Sequence, residues 1–538
     1  MSIPRWNPSQ ALSRQEQLLM KRLDRVRKLF GFLRRHRHEL FDDAFQAELE
    51  SMYRDTDAGK EPNPPAMMAM ALLLQGYVRV SDAEAVELTI VDLRWQMVLG
   101  CLGTEETAFS QGSLVAFRNR LIKHDMDRRL LERTVELARR TKEFDWKKLP
   151  KSLRLAVDSS PLEGAGRVED TFNLLGHAAR KIVQCAAKIV NRPQDEICRE
   201  AGIPILLASS VKQALDIYWD DDDQKHAALQ TLVAQLDSLE RWLARSLSDE
   251  SKQPPLADAL ATLAQLRGQD LEPDPTTGGT RIRDGVAADR RVSVEEPEMR
   301  HGRKSKSKLF NGYKRHIGSD VDSDLILACA ITPANRPEAE ATPSLRADLE
   351  RQNVSIGELL IDRAFVGSDL AQKVIADGGK VICRPWVSRN GDLFPKEAFK
   401  LNLHDMTITC IAGQTVPIRL GKVAEFPAEG CDRCEFRSKC TSAAPGRGRT
   451  VSISSDERLQ QRLRREAATP RGRRRLRTRV GVEHRLAHIA RRQGNRARYR
   501  GTRKNLFDLR RVSAIQNLET NQRRIAQAEV ASPVRMAA

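Results

Sequence analysis

Three carboxylates in this chain occupy positions from which they would share a metal ion. Asp158 ends an alternating apolar segment typical of a half-buried strand, and the turn-forming sequence "SSPLEGAG" follows it. Asp362 ends a second short apolar segment, "IGELLID", and Glu483 lies on an amphipathic helical segment. A single aspartate at a strand end usually caps a turn or a helix. Two on neighbouring strands repel each other unless a cation lies between them, and carboxylate oxygens favour Mg²⁺ or Mn²⁺.

Such a set of carboxylates suits phosphodiester chemistry. Two metal ions about 3.5 to 4 Å apart can activate an attacking oxygen and stabilise the leaving one. Asp158 would then bridge both ions, and Asp362 and Glu483 would complete their ligands.

The basic residues of the chain are concentrated near its end. The formal net charge is +18, and between Arg458 and Arg511 nineteen arginines and one lysine accompany only three acidic residues. Arginine binds phosphate through two parallel hydrogen bonds, so this composition favours a nucleic-acid partner. A solvated basic helix is the alternative, although apolar residues are interleaved with the arginines.

Further candidate DNA contacts lie outside this tract. Lys304, Lys306 and Lys308 alternate in "HGRKSKSKLF", so they would share one face of an extended segment that continues to Lys314. A solvated loop explains their spacing equally well. Arg118 lies on a segment that Ser110 or Ser113 would cap as a helix, which is either a recognition helix or an ordinary packed helix with exposed arginines.

Four of the nine cysteines form a late cluster with the order C-x20-C-x2-C-x5-C, at Cys410, Cys431, Cys434 and Cys440. This spacing suits a structural Zn²⁺ site, with an iron–sulfur cluster or free thiols as alternatives. The remaining cysteines have apolar neighbours and are predicted to be core residues. A secretion signal is not evident, so a disulfide framework is not expected.

The elements that position these residues follow the order strand, insertion, strand, strand, helix, strand, helix, strand. This order predicts an α/β fold with a mixed sheet interrupted by a helical insertion. The predicted segments are a helical N-terminal domain (1–145), the first core strand (150–166), the helical insertion (167–300), the rest of the sheet (301–400), a Cys-rich module (401–455), an Arg-rich helical segment that completes the core (456–520) and a polar tail (521–538).

The chain resembles the DDE transposases of bacterial insertion sequences, which have a ribonuclease-H-like core. The resemblance rests on Asp158 after the first strand, on "LLIDRAF" around Asp362, and on "RVGVEHRLAHIARR", where Arg479 precedes Glu483 by four residues. It extends to "RWQMVLG", "SQGSLVAFRNRL", "HGRKSKSKLFNGYKRHI" and the cysteine cluster.

Two positions depart from the family pattern. A tyrosine and a lysine of the family are replaced by Leu476 and Ala490, and Arg491 and Arg492 follow the latter. An arginine there would take over the phosphate contact of the lysine.

The resemblance implies an enzyme that binds the terminal inverted repeats of its element as a homodimer on double-stranded DNA. It would cut the strand ends with two Mg²⁺ or Mn²⁺ ions and join the 3′-hydroxyls to target DNA. The alternatives are a DNA-binding protein that has lost catalysis, a metal-dependent nuclease without strand transfer, and a zinc-dependent RNA-binding protein, which the 5% aromatic content disfavours. No apolar run reaches the length of a bilayer span, so a cytoplasmic protein associated with DNA is expected.

Overall fold

The N-terminal region is helical, as the sequence predicts. A computed structural model describes residues 3–531 except 24, 55–60, 141–152, 306 and 387–389. Helix α4 is apolar on all sides and is buried from Pro65 to Gly76, so the other helices pack around it. The helices are α1 (Arg14–Leu23), α2 (Lys28–Leu40), α3 (Asp43–Glu50), α4 (Pro65–Val78), α5 (Asp82–Val91), α6 (Leu93–Leu99), α7 (Gln111–Lys123) and α8 (Met126–Arg140).

A helical insertion follows the first strand, β1 (Leu153–Glu163). Its long helices bury their apolar faces against one another in a core of their own, and a short hairpin follows them. The elements are α9 (Thr171–Val190), α10 (Gln194–Glu200), α11 (Val211–Leu215), α12 (Asp222–Ser246), α13 (Leu256–Asp270), β2 (Leu271–Pro273) and β3 (Thr280–Ile282).

The sheet resumes after the insertion, in the predicted order. Its elements are β4 (Arg300–Arg303), β5 (Leu309–Asp320), β6 (Ile326–Pro333), α14 (Thr342–Arg351), β7 (Ile356–Leu360), α15 (Asp369–Ala376) and β8 (Lys380–Ile382). Asn311 and Gly312 have the sequence of a hairpin turn but lie inside β5. A side chain at Gly312 would collide with the backbone of β1 at Leu162, which explains the glycine.

The last part of the chain contains short strands around the cysteines and then helices. The elements are β9 (Lys400–Asn402), β10 (Thr407–Thr409), β11 (Thr415–Pro417), β12 (Val423–Glu425), α16 (Ala428–Asp432), α17 (Arg437–Cys440), β13 (Thr450–Ser452), α18 (Glu457–Ala468), α19 (Pro470–Thr478), α20 (Val480–Gln493) and α21 (Thr502–Ala531). The segment 521–538, predicted to be a polar tail, instead continues α21 as far as Ala531.

The main sheet is mixed, as predicted. Strand β1 pairs antiparallel with β5 on one side and parallel with β7 on the other, and β7 pairs parallel with β8. Strands β4 and β6 both pair with the outer edge of β5. The carboxyl end of β7 therefore lies beside the middle of β1, and residues 158–163 of β1 extend past it with β5 as their partner. The strand end and turn predicted at Asp158 are wrong, because β1 continues to Glu163.

Helices cover both faces of this sheet. One face packs against α14, α15, α18 and the end of α8, through residues such as Leu345 and Leu463. The other face packs against α20, α21 and the N-terminal helices, so that Leu72, Ile317 and Ile515 belong to one continuous core. No helix in the described ranges is long and apolar enough to cross a bilayer.

Candidate active site

The register of the sheet brings Asp158, in the middle of β1, beside Asp362, which follows the end of β7. Ala156 of β1 lies opposite Leu360 of β7 in the parallel ladder, and each aspartate follows two residues later. Neighbouring strands are about 4.8 Å apart, so the two positions are adjacent. Asp362 is exposed and accepts a hydrogen bond from the backbone N–H of Arg363 at 2.7 Å, which starts a short 3₁₀ turn.

Glu483 reaches the same site through Arg479. The predicted apolar stripe of α20 is buried, and it directs Glu483 to the exposed side of the first turn. Arg479 Nη2 donates to Glu483 Oε1 at 2.6 Å, and Nη1 lies 3.1 Å from Asp158 Oδ2. The second contact is an ion pair without hydrogen-bond geometry, since Nη1 has no hydrogen-bond partner. One guanidinium therefore lies between two of the three predicted ligands.

The Asp158 carboxyl holds its proton more tightly than an ordinary aspartate. Burial is the largest cause and raises its pKa to about 6, although Arg479 and the Ser159 N–H both lower it. Glu483 and Glu338 raise it further. Glu338 lies in the turn after β6 and has no distinguishing sequence signal, so the sequence did not indicate its proximity. The site therefore concentrates more negative charge than Arg479 compensates.

The donor set fits a hard divalent cation. Carboxylate oxygens are the ligands that Mg²⁺ and Mn²⁺ prefer, and the positive Arg479 guanidinium already marks the place of a cation between Asp158 and Glu483. Within the described ranges, no three His, Cys, Asp or Glu side chains are arranged to hold an ion together. Binding of an ion by these carboxylates therefore requires the Arg479 side chain to move away.

Only some of the C-terminal arginines face solvent. Arg485, Arg510 and Arg511 are buried, and each forms an ion pair with an aspartate: the exposed Asp324 and the buried Asp348 and Asp508, respectively. Fewer arginines are therefore free to bind phosphate than the net charge of the tract indicates. Arg479 and Arg491 are partly or fully exposed and remain candidates.

The predicted lysine face is not an extended strand. Lys304 and Lys308 are exposed but lie on opposite sides of the hairpin turn between β4 and β5, where the Lys304 N–H donates to the Lys308 carbonyl at 2.9 Å. Lys306 lies outside the described residues. Lys314 is on β5, where its Nζ donates to the Arg336 carbonyl at 2.8 Å. These lysines therefore lie at one end of the sheet, without the predicted alternation along a strand.

Arg118 is buried and has a structural role. Ser110 caps α7 by accepting a hydrogen bond from the Ser113 N–H at 3.1 Å, as predicted. The Arg118 side chain is only 6% exposed, and it pairs with Asp82 and lies over the Tyr499 ring, 5.6 Å from its centroid. A buried, paired guanidinium is not available to DNA, so the recognition role predicted for Arg118 is not supported.

The four clustered cysteines line one cavity of about 420 Å³. Burial raises the pKa of the Cys440 thiol, Arg449 lowers it, and the three other thiols of the cluster raise it further. The thiols thus influence one another electrostatically. Cys198, Cys329 and Cys383 are buried core residues, as predicted, while Cys101 and Cys185 are partly buried.

Two family models match the chain. Residues 405–520 match the model described as "Transposase DDE domain", and residues 21–120 match the model described as "Transposase domain (DUF772)". The first match includes Glu483 and the cysteine cluster, whereas Asp158 and Asp362 precede it. The searches of curated proteins and of solved structures found no match.

Proposed function

We propose that this chain, which is a transposase with a DDE domain and an N-terminal transposase domain, cuts the ends of an insertion sequence and joins the 3′-hydroxyls to target DNA. The observation that carries the proposal is the junction of Asp158, Arg479 and Glu483 beside Asp362. It joins positions more than three hundred residues apart in the sequence.

We assign the sheet to the ribonuclease-H-like class. The assignment is supported by its order, in which the central β1 has an antiparallel neighbour, β5, and a parallel neighbour, β7. This topology places the first two aspartates side by side, where they could hold a metal ion together.

Asp158, Asp362 and Glu483 would hold two divalent ions, Mg²⁺ or Mn²⁺. When bound, such ions activate the attacking oxygen and stabilise the leaving oxygen of a phosphodiester. Arg479 would leave the carboxylates and pair with a DNA phosphate, because a guanidinium binds phosphate bidentately. Until DNA and metal ions bind, Arg479 supplies one positive charge beside the carboxylates.

The proposed partners are terminal inverted repeats and target DNA. Lys304, Lys308, Lys314, Arg491 and Arg492 are proposed phosphate contacts, and Lys306 stays a prediction because it lies outside the described residues. A homodimer is proposed because two element ends must be joined in one event.

The proposed function is tested with DNA that carries the native flanks of this gene. The protein, the flanking duplex, a supercoiled plasmid and Mg²⁺ are incubated, and the products are separated by size. We expect strand cuts at a fixed boundary in the flank and joined flank–plasmid molecules. Cuts without joined products would indicate a nuclease, and binding without cuts would indicate a protein that has lost catalysis.

We also propose a structural Zn²⁺ ion at the cysteine cluster, whose four thiols line one cavity. As they stand, the thiols are not arranged to hold an ion together, so binding would require them to move closer to one another. Metal analysis of the purified protein is expected to give about one zinc per chain. Cys434→Ser is expected to lower the zinc content, whereas Cys185→Ser, outside the cluster, should not change it. Iron together with visible absorbance would indicate an iron–sulfur cluster instead. Purified protein without bound metal would indicate that the four cysteines are free thiols.

A further inference from the structure

A basic cleft lies at the surface where the start of α2 and the end of α4 meet the two last helices. It has a volume of about 550 Å³ and is lined by residues of α2, α4, α20 and α21 and of the loops beside them. We call it the interdomain cleft and define it by Arg27, Lys28, Tyr77, Arg79, Arg491 and Arg492.

Positive charge in this cleft exceeds negative charge. Its carboxylate is Glu519, which accepts a hydrogen bond from Arg492 Nη2 at 2.8 Å. Arg27, Lys28 and Arg491 are exposed and have no acidic partner in the described part of the chain. Like charges held this close repel one another, so the arrangement favours an anionic ligand.

Three arginines of the cleft, Arg27, Arg79 and Arg492, are held in place by contacts with other residues of the cleft. The guanidinium of Arg27, at 5.8 Å, and that of Arg492, at 5.2 Å, approach the ring centroid of Tyr77. Arg79 Nη1 donates to the Arg491 carbonyl at 2.9 Å, which links α4 to α20. Nη1 of Arg492 is buried without a hydrogen-bond partner in the described residues. A fixed set of donors with one unused N–H suits phosphate oxygens.

The cleft lies along the same helix as the proposed catalytic glutamate. Glu483 is in the first turn of α20 and Arg491 in the last, and the exposed residues between them include His484 and His488. Eight residues of helix span about 12 Å. This length corresponds to about three to four base-pair steps of duplex DNA.

We infer that the interdomain cleft binds the phosphate backbone of duplex DNA, about three to four base pairs from the phosphate that is cut. One duplex would then contact the N-terminal helices and the catalytic helix at the same time. The inference rests on the proposed function for the position of the cut phosphate, whereas binding of DNA in the cleft can be tested without catalysis.

The first test measures the salt dependence of DNA binding. A fluorescent 30-base-pair duplex from the native flank is titrated with full-length protein at several salt concentrations. Arg27→Gln and Arg491→Gln, on opposite walls, should each reduce the slope of log K against log salt by about one. Arg245→Gln, an exposed arginine of the helical insertion, serves as the matched control and should leave the slope unchanged. Unchanged slopes for both cleft variants would overturn the inference.

A second measurement separates the cleft from the catalytic site. In the cutting assay, the cleft variants should need more protein than the wild type for half-maximal cutting. If their salt slopes fall although the wild type never cuts, the cleft inference stands and the catalytic proposal fails. If the wild type cuts and both slopes stay unchanged, the catalytic proposal stands and the cleft inference fails.

Discussion

Asp158→Asn is expected to stabilise the folded protein at pH 8 by about 2 kcal/mol and to abolish strand cutting. Burial raises the pKa of Asp158 to about 6, above the ordinary value for aspartate. The folded state therefore binds this proton more tightly than the unfolded state. Its stabilising effect is complete below about pH 4 and is lost as the pH rises through about 6. Asparagine keeps the shape of the side chain without the buried charge.

Urea denaturation at pH 4 and pH 8, without divalent ions, measures this effect. The gain from Asp158→Asn should appear at pH 8 and vanish at pH 4. Asp362→Asn is the control, because Asp362 is exposed and its neutralisation should change the free energy of unfolding by less than about 0.5 kcal/mol. An equal gain at both pH values, or a loss at pH 8, would contradict the burial of the Asp158 charge.

Arg510→Met is expected to destabilise the protein by about 3 to 5 kcal/mol. The Arg510 side chain is 5% exposed, and it contacts Asp125 at 2.6 Å, Asp127 at 3.2 Å and Asp348 at 3.1 Å. Burial alone lowers the pKa of Arg510, but the three carboxylates raise it overall. Asp127 and Asp348 are almost fully buried, and each has one other arginine nearby, Arg503 and Arg351, respectively. Loss of the Arg510 guanidinium therefore leaves part of their buried charge uncompensated.

The free energy of unfolding in urea at pH 7.5 tests this prediction. Lys504→Met, an exposed position on the same helix, is the matched control and should change it by less than about 0.5 kcal/mol. Adding Asp348→Asn to Arg510→Met should recover part of the loss, because it removes one of the uncompensated charges. An Arg510→Met protein as stable as the wild type would show that this network does not hold the last helix to α8 and α14.

Local sequence patterns predicted the strand that carries Asp158, the strand end before Asp362 and the apolar stripe of the helix that carries Glu483. These features depend on alternation and helical periodicity, which a short window contains. The predicted strand end at Asp158 is wrong, because β1 continues to Glu163 and its second half is held by pairing with the distant β5, which a short window does not contain.

The wrong predictions concern residues whose contacts are with residues distant in the sequence. Arg118 and Arg510 have the same local character as exposed arginines, and only the distant Asp82, Asp127 and Asp348 make them internal. Gly312 has the sequence of a turn but is required by the close approach of β1. The position of Arg479 between two carboxylates likewise depends on how α20 packs against β1.

The central claim is that Asp158, Asp362 and Glu483 together hold the catalytic ions. It is tested most directly by replacing each in turn with cysteine and assaying cutting of the native flanking DNA in Mg²⁺ and in Mn²⁺. Thiolates bind Mg²⁺ poorly and accept softer ions better. We predict that each variant binds DNA normally, cuts at least about 10³-fold more slowly in Mg²⁺, and recovers part of its activity in Mn²⁺. Variants that cut in Mg²⁺ as fast as the wild type would contradict the assignment.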